Sequence, residues 1–156
     1  MEQNITYPDA FKKIMALCSR QEKCRFEISQ KLKDWGLPET LIEKIILQLV
    51  KEGFINEERY AKAFVNDKFK INKWGKEKIK FALMQKSIGR DIITLALDTI
   101  AEKEYNNMLK NEMEKKFKSI KTLEKSKILE KLIRFGLSKG FSNEEIYPVV
   151  NSLLQQ

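Results

Sequence analysis

Histidine is absent from this chain, which removes the commonest general base and the commonest metal ligand together. Cysteine occurs only as Cys18 and Cys24, too few for a zinc site built from Cys and His. In a reducing compartment, two packed free thiols are expected rather than a disulfide. Six glycines and three prolines leave little material for hairpins, phosphate-cradling loops or flexible linkers. No apolar run is long enough to cross a bilayer, and the opening "MEQNITYPDAF" lacks the basic-then-apolar pattern of a signal peptide. The expectation is a cytoplasmic protein, away from membranes, with no catalytic residues, no cofactor and no metal.

Leu, Ile, Lys and Glu dominate instead, and 42% of the 156 residues are hydrophobic. That mixture favours helices and can bury a core. The net charge is +8, and it accumulates along the chain. Residues 1–54 hold nine Lys/Arg against eight acids, residues 55–104 eleven against eight, and residues 105–156 ten against six. A basic balance raises the odds of an anionic partner and says nothing about fold.

Apolar positions recur when the sequence is shifted by 51. Ile28 meets Ile79, Leu32 meets Leu83, Leu37 meets Ile88, Ile42 meets Ile93, and Leu49 meets Ile100. A shift of 104 gives a looser third copy, with Leu37 on Phe141, Ile42 on Ile146 and Leu49 on Leu153, but Leu32 on Gly136. The reading is all-α: three tandem three-helix modules, 1–54, 55–103 and 104–156, stacked in an elongated array, straight or curved.

Local signals support each unit. Thr6, with Asp9 three residues on and Pro8 in the first turn, opens the first helix. Gly36 ends the second, Pro38 restarts the chain, and a third helix runs to about Gly53. Cys24 stands where a Ser would complete a capping box with Glu27. Asn56 caps the fourth helix, where Tyr60, Ala61, Phe64 and Val65 form a buried stripe. Trp74–Gly75 precedes a helix carrying Ile79, Ala82 and Leu83, and Gly89 is expected to break it. Ser142 and Glu145 make a capping box for the last helix, which Pro148 should kink or shorten. The acid pairs Glu57–Glu58 and Glu144–Glu145 fall in helix first turns, where capping and the dipole explain them without chemistry.

Three stretches, "LCSRQEKCRFEISQKLKDWGL", "INEERYAKAFVNDKFKINKWGKEKIKFALMQKSI" and "ILEKLIRFGLSKGFSNEEI", resemble the three modules of the RecX family of recombinase regulators. The resemblance runs from about residue 10 to the C-terminus. Its most specific part is the order of acidic cap, Arg-aromatic-Ala, aromatic-Gly and basic helix in the second stretch. Cys24 replaces a usual small hydroxyl cap, Trp74 stands where tyrosine is common, and residues 103–122 match poorly. The resemblance implies a non-enzymatic protein that binds RecA and its filament on single-stranded DNA; a monomer is expected. It would restrain strand exchange, ATP hydrolysis and coprotease activity, in DNA repair, recombination and the SOS response.

The lysines supply the candidate contact surface. Lys68 through Lys80 and Lys115 through Lys127 each hold six lysines and one acid. A single lysine is best read as a solvated side chain, but a cluster near phosphates releases counterions together. The candidates are Lys68, Lys70, Lys73, Lys76, Lys78, Lys80, Arg90, Lys115, Lys116, Lys118 and Lys121, for filament, single-stranded or duplex DNA contact. Reversing Lys73, Lys76, Lys78 and Lys80 to Glu is expected to weaken such binding without unfolding the chain. Trp74 is read as a core plug rather than a base-stacking platform. Arg59, amid Glu57 and Glu58, is read as structural; for Arg90 an ion pair and a partner contact stay open. Two rival readings remain: a helix-turn-helix-like regulator acting on duplex DNA, and a scaffold for another helical protein. Helix 76–86 offers lysines rather than a base-reading Arg/Asn/Gln set, which counts against the first rival.

Overall fold

A computed structural model of the chain describes residues 5–155; residues 1–4 and 156, the ends of the first and third expected modules, lie outside it. Among the described residues there are nine α-helices and no strands. The first triplet is α1 (Tyr7–Arg20), α2 (Arg25–Asp34) and α3 (Glu39–Lys51). The second is α4 (Glu57–Lys70), α5 (Lys76–Gln85) and α6 (Arg90–Leu97). The third is α7 (Glu102–Ser119), α8 (Lys125–Lys139) and α9 (Asn143–Leu154). Extensive helix packing stays within a triplet: α2 and α1 against α3, α4 and α5 against α6, and α7, α8 and α9 against one another. The chain exposes 10264 Å², whereas a compact monomer of its mass would expose about 8200 Å². The array is therefore elongated.

The caps act where the sequence places them. Thr6 accepts from the Asp9 N–H at 3.4 Å, Asn56 from the Arg59 N–H at 2.9 Å, and Ser142 from the Glu145 N–H at 3.2 Å. Glu145 answers by accepting from the Ser142 N–H at 2.9 Å. The break after α5 differs from expectation. α5 ends at Gln85, and Ser87, at φ 59°, makes the left-handed turn; Gly89, at φ −66°, is the N-cap of α6. Pro148 does not shorten α9, which runs on to Leu154. Both Pro148 and Glu144, whose carbonyl loses its helical donor, are exposed, so water can satisfy that carbonyl.

Two hydrophobic clusters fill the array, and their boundary is not between every triplet. Ala10, Ile14, Ile28, Leu32, Ile42, Ile45 and Leu49 form one core inside the first triplet. The second and third triplets share the other, which runs from Tyr60 and Val65 through Ile79 and Leu83 to Met113, Phe141 and Ile146, with Cys24 of the first triplet at its edge. The looser third repeat has a packing reason. Gly136 is buried in α8, and a Cβ there would stand 2.7 Å from Ile146 Cδ1. The equivalent pair in the first copy, Leu32 and Ile42, accommodates two large side chains. Here one large side chain and one hydrogen let α8 and α9 approach more closely.

Candidate functional site

The second and third triplets meet through main chain. Gly75, at the N-cap of α5, has no side chain with which to cap its own helix. The third triplet closes that helix end instead. The Gly75 N–H donates to the Lys139 carbonyl at 2.7 Å, the Glu77 N–H to the Gly140 carbonyl at 3.0 Å, and the Lys76 N–H to the Tyr105 hydroxyl at 3.1 Å. A Cβ on Gly75 would lie 2.4 Å from the Gly140 carbonyl carbon, and one on Gly140 would lie 2.3 Å from Lys78 Cβ. Gly140 also holds φ +99°, a left-handed conformation that costs an L-residue about 1–2 kcal/mol. Around this contact Phe69, Tyr105 and Phe141 form an aromatic chain with centroid separations of 6.2 and 5.7 Å. Burial pushes the Tyr105 hydroxyl well above its ordinary range, so it stays a neutral partner for the Lys76 N–H. The aromatic–Gly pair of the second sequence stretch and the "SKGF" of the third are thus the two halves of one joint.

The first and second triplets meet through side-chain charge. Arg59 pairs with Glu22, in the loop after α1, and donates to the Gly53 carbonyl at 3.0 Å. Its structural role stands, but its partner is not Glu57 or Glu58. Glu57 instead faces Arg25 at 3.8 Å, and Glu27 faces Lys86 at 3.6 Å. One oxygen each of Glu22 and Glu57 is enclosed without a hydrogen-bond partner. Desolvation, opposed by a backbone hydrogen bond and the Arg25 charge, raises the pKa of Glu57. Cys24 lies in the middle of this joint, fully buried and clustered with Tyr60. Its N–H and its thiol both donate to Glu27 Oε1, at 3.3 and 3.6 Å, so the cysteine is a core residue as well as a weak cap. Burial pushes its thiol up to about 11. Cys18 and Cys24 are both free thiols.

These joints divide the candidate cations. Lys68 and Lys78 both lie over the Trp74 indole, at 4.8 and 4.6 Å from the ring centre, and Lys78 also donates to the Ser138 carbonyl at 3.3 Å. Lys76 stands 4.7 Å over the Tyr105 ring. Trp74 is half-buried against the shared core, as a plug should be. Lys73 occupies the α4–α5 turn at φ 58°. Reversing Lys73, Lys76, Lys78 and Lys80 together would therefore disturb the joint as well as any contact surface.

The remaining candidates are grouped around three hollows. Lys70, Lys73 and Lys115 share one between α4 and α7 with Glu104 and Glu112. Lys76, Lys80 and Arg90 share another between α5 and α6 with Glu77 and Asp98; Arg90 is exposed and forms no ion pair among the described residues. Lys116 and Lys121 line a third, between α7 and α8, together with Lys131 and Arg134. Lys118 is exposed and lines none of the three. Sequence reading missed Lys131 and Arg134. Their spacing of three, with Ser138 four further on, places them on one face of α8, and that pattern was the available signal.

Comparison with known proteins follows the same threefold division. The models of the first, second and third three-helix domains of RecX match residues 10–49, 56–97 and 102–150. The regulatory protein RecX of Clostridium acetobutylicum is 31% identical over 159 residues, covering 99% of this chain and 72% of that protein. The chain belongs to the RecX family. RecX of Clostridium tetani is 35% identical over 134 residues, 85% of this chain, and the match spans 61% of the relative's length. The relatives from Clostridium tetani and from two strains of Clostridium perfringens are each matched over about three fifths of their length. A crystal structure of RecX from Lactobacillus salivarius superposes with a TM-score of 0.81 at 24% identity, over 96% of this chain and 97% of that one. A second RecX crystal structure gives a TM-score of 0.85 over 94% of this chain and 73% of that one. The all-α RecX fold is common to them. No helix among the described residues is long and apolar enough to cross a membrane.

Proposed function

We propose that this chain is a monomeric, non-enzymatic regulator in the cytoplasm, which binds RecA and its filament on single-stranded DNA. There it lowers strand exchange, ATP hydrolysis and coprotease activity, and so acts in DNA repair, recombination and the SOS response. The observation that carries the reading is RecX family membership in a chain folded as an elongated helical array. An extended row of modules offers a long face of the kind needed to span neighbouring subunits of a polymer. Restraining such a polymer requires contact and no bond-making residue.

The duplex-reading alternative is disfavoured by the first turn of α5, whose N–H groups are already bonded to Lys139, Gly140 and Tyr105. A recognition helix needs its N-terminal residues free to enter a groove. The test is to mix the purified chain with RecA-coated single-stranded DNA and follow ATP turnover and filament length. A fall in both is expected as the chain approaches the concentration of filament subunits. No effect at several-fold excess would sink the reading, and sequence-selective duplex binding that survives raised salt would replace it.

A further inference from the structure

We infer that the hollow between the end of α7 and the middle of α8 seats consecutive phosphates of a single DNA strand. This deepens the proposed function and rests on it, by assigning the strand contact to the third triplet rather than to the lysine-rich second.

The hollow measures about 600 Å³, with Lys116 and Lys121 on one wall and Lys131 and Arg134 on the other, and no carboxylate in its lining. The two other basic hollows each carry two acids beside three cations. An anion entering either of those meets a field largely cancelled by the protein's own charges. In the α7–α8 hollow it meets four cations.

The fold uses part of this charge for itself. Lys116 stands 5.6 Å over the Phe135 ring, which leaves its N–H donors unspent. Lys121 and Lys131 form no ion pair among the described residues. Arg134 pairs with Glu130, one turn back on α8, at 2.7 Å. Both of those side chains are largely exposed. Such an exposed pair contributes about 0.3–0.5 kcal/mol, and the guanidinium keeps further N–H donors for an incoming anion. Lys116 lies in the last turn of α7, where the helix dipole favours it. Lys121 and Lys131 have neither a dipole nor a carboxylate to offset them, and with Lys116 and the Glu130-paired Arg134 they leave the hollow with a net positive charge that an anion would relieve.

The donor set also points to phosphate rather than to base edges. The hydroxyls of Ser119 and Ser138 donate to carbonyls of their own helices, at 2.6 and 2.7 Å. The donors left are three ammonium groups and one guanidinium, which suit phosphate oxygens and carry no base code. Four cations spread around a hollow of this size match several phosphates in a row better than a single one.

The test uses the whole chain, without recombinase, and a fluorescent oligothymidine whose anisotropy is followed across a salt series. Each single-strand phosphate contact contributes about 0.7 to the slope of log affinity against log salt. The variant Lys121→Gln/Lys131→Gln, altered at two exposed positions, is expected to lower the slope by about 1.4. Lys70→Gln/Lys80→Gln, the same charge change in the other two hollows, is expected to leave it unaltered. An unaltered slope in the first variant, or equal losses in both, overturns the inference. So does competition by tripolyphosphate or by polyglutamate as effective, per charge, as unlabelled strand. These results say nothing of RecA: intact filament inhibition alongside a failed slope test would remove this site alone, while a normal slope without inhibition would remove the proposed function alone.

Discussion

Between the first and second helix triplets the chain places charged side chains; between the second and third it places main chain and aromatic rings. Arg59–Glu22, Arg25–Glu57 and Lys86–Glu27 are all partly exposed, and pairs of that kind contribute from nothing to about 1 kcal/mol each and weaken in salt. The Gly75–Gly140 joint has three main-chain donors satisfied across it and a continuous apolar core beneath. A hydrogen bond of this kind nets about 1 kcal/mol, and an unsatisfied buried donor costs more. Three units that look equivalent in repeat pattern are therefore joined unequally, as one separate core followed by a fused pair.

The comparison is broken most directly at the glycines. Gly140→Ala combines a main-chain clash with a left-handed backbone, and should cost on the order of 3 kcal/mol, read as a lower urea midpoint. Hydrogen exchange should localise the damage: the Lys76 and Glu77 amides lose protection, while those of α3 do not. Equal loss in α3 would mean that the first triplet is tied in as firmly as the other two. A smaller effect is expected from Arg59→Ala, about 1 kcal/mol, shrinking as salt is raised. The same variant should speed thiol labelling of Cys24, which is buried in that joint with a pKa near 11, relative to half-buried Cys18. Unchanged Cys24 labelling would show that the ion pair does not hold the joint closed.

Glu57 sharpens the contrast through pH. Its folded pKa is raised above the ordinary carboxylate value, chiefly by burial, so the folded state holds that proton more tightly than the unfolded chain. Its contribution to stability is full below about pH 4.5 and is lost as pH rises through the folded value. Glu57→Gln should flatten that part of the curve of urea midpoint against pH, at a cost of a few tenths of a kcal/mol from the exposed Arg25 pair. A curve that keeps its fall would assign the pH dependence to another group. The smallest effect belongs to Lys73→Gly. Relief at φ 58° roughly offsets the added freedom of the unfolded chain, so melting should barely move. A drop of more than about 1 kcal/mol would show that the lysine side chain supports the turn.

What could be read from sequence was what neighbours in sequence decide. Thr6, Asn56 and Ser142 bond to groups three residues away, and the register of Ile28, Ile79 and their companions reports the faces that each triplet buries. The joints could not be read in this way. Arg59 finds Glu22 at a separation of 37 residues, and Lys78 finds Ser138 at a separation of 60. The lysine-rich α5 read as a contact surface because charge shows in a sequence, whereas a ring beneath an ammonium group does not. The α5–α6 turn fell on Ser87 rather than Gly89 because a left-handed serine is tolerated there, and composition favours the glycine. Lys131 and Arg134 join the candidate surface only once α8 is laid against α7.

The contact between Gly75 and Gly140 also bears on how such a chain can be altered by exchange of segments. A repeat drawn on the sequence invites exchange one unit at a time between relatives. Here the start of α5 is capped by a turn some 65 residues further on, and the two glycines leave no room for a β-carbon on either side. A graft of residues 55–103 alone would arrive with one half of a fitted pair and meet a foreign second half. Exchange should succeed at the boundary near residue 55, where charges can find new partners. Beyond it, the second and third triplets are heritable only together.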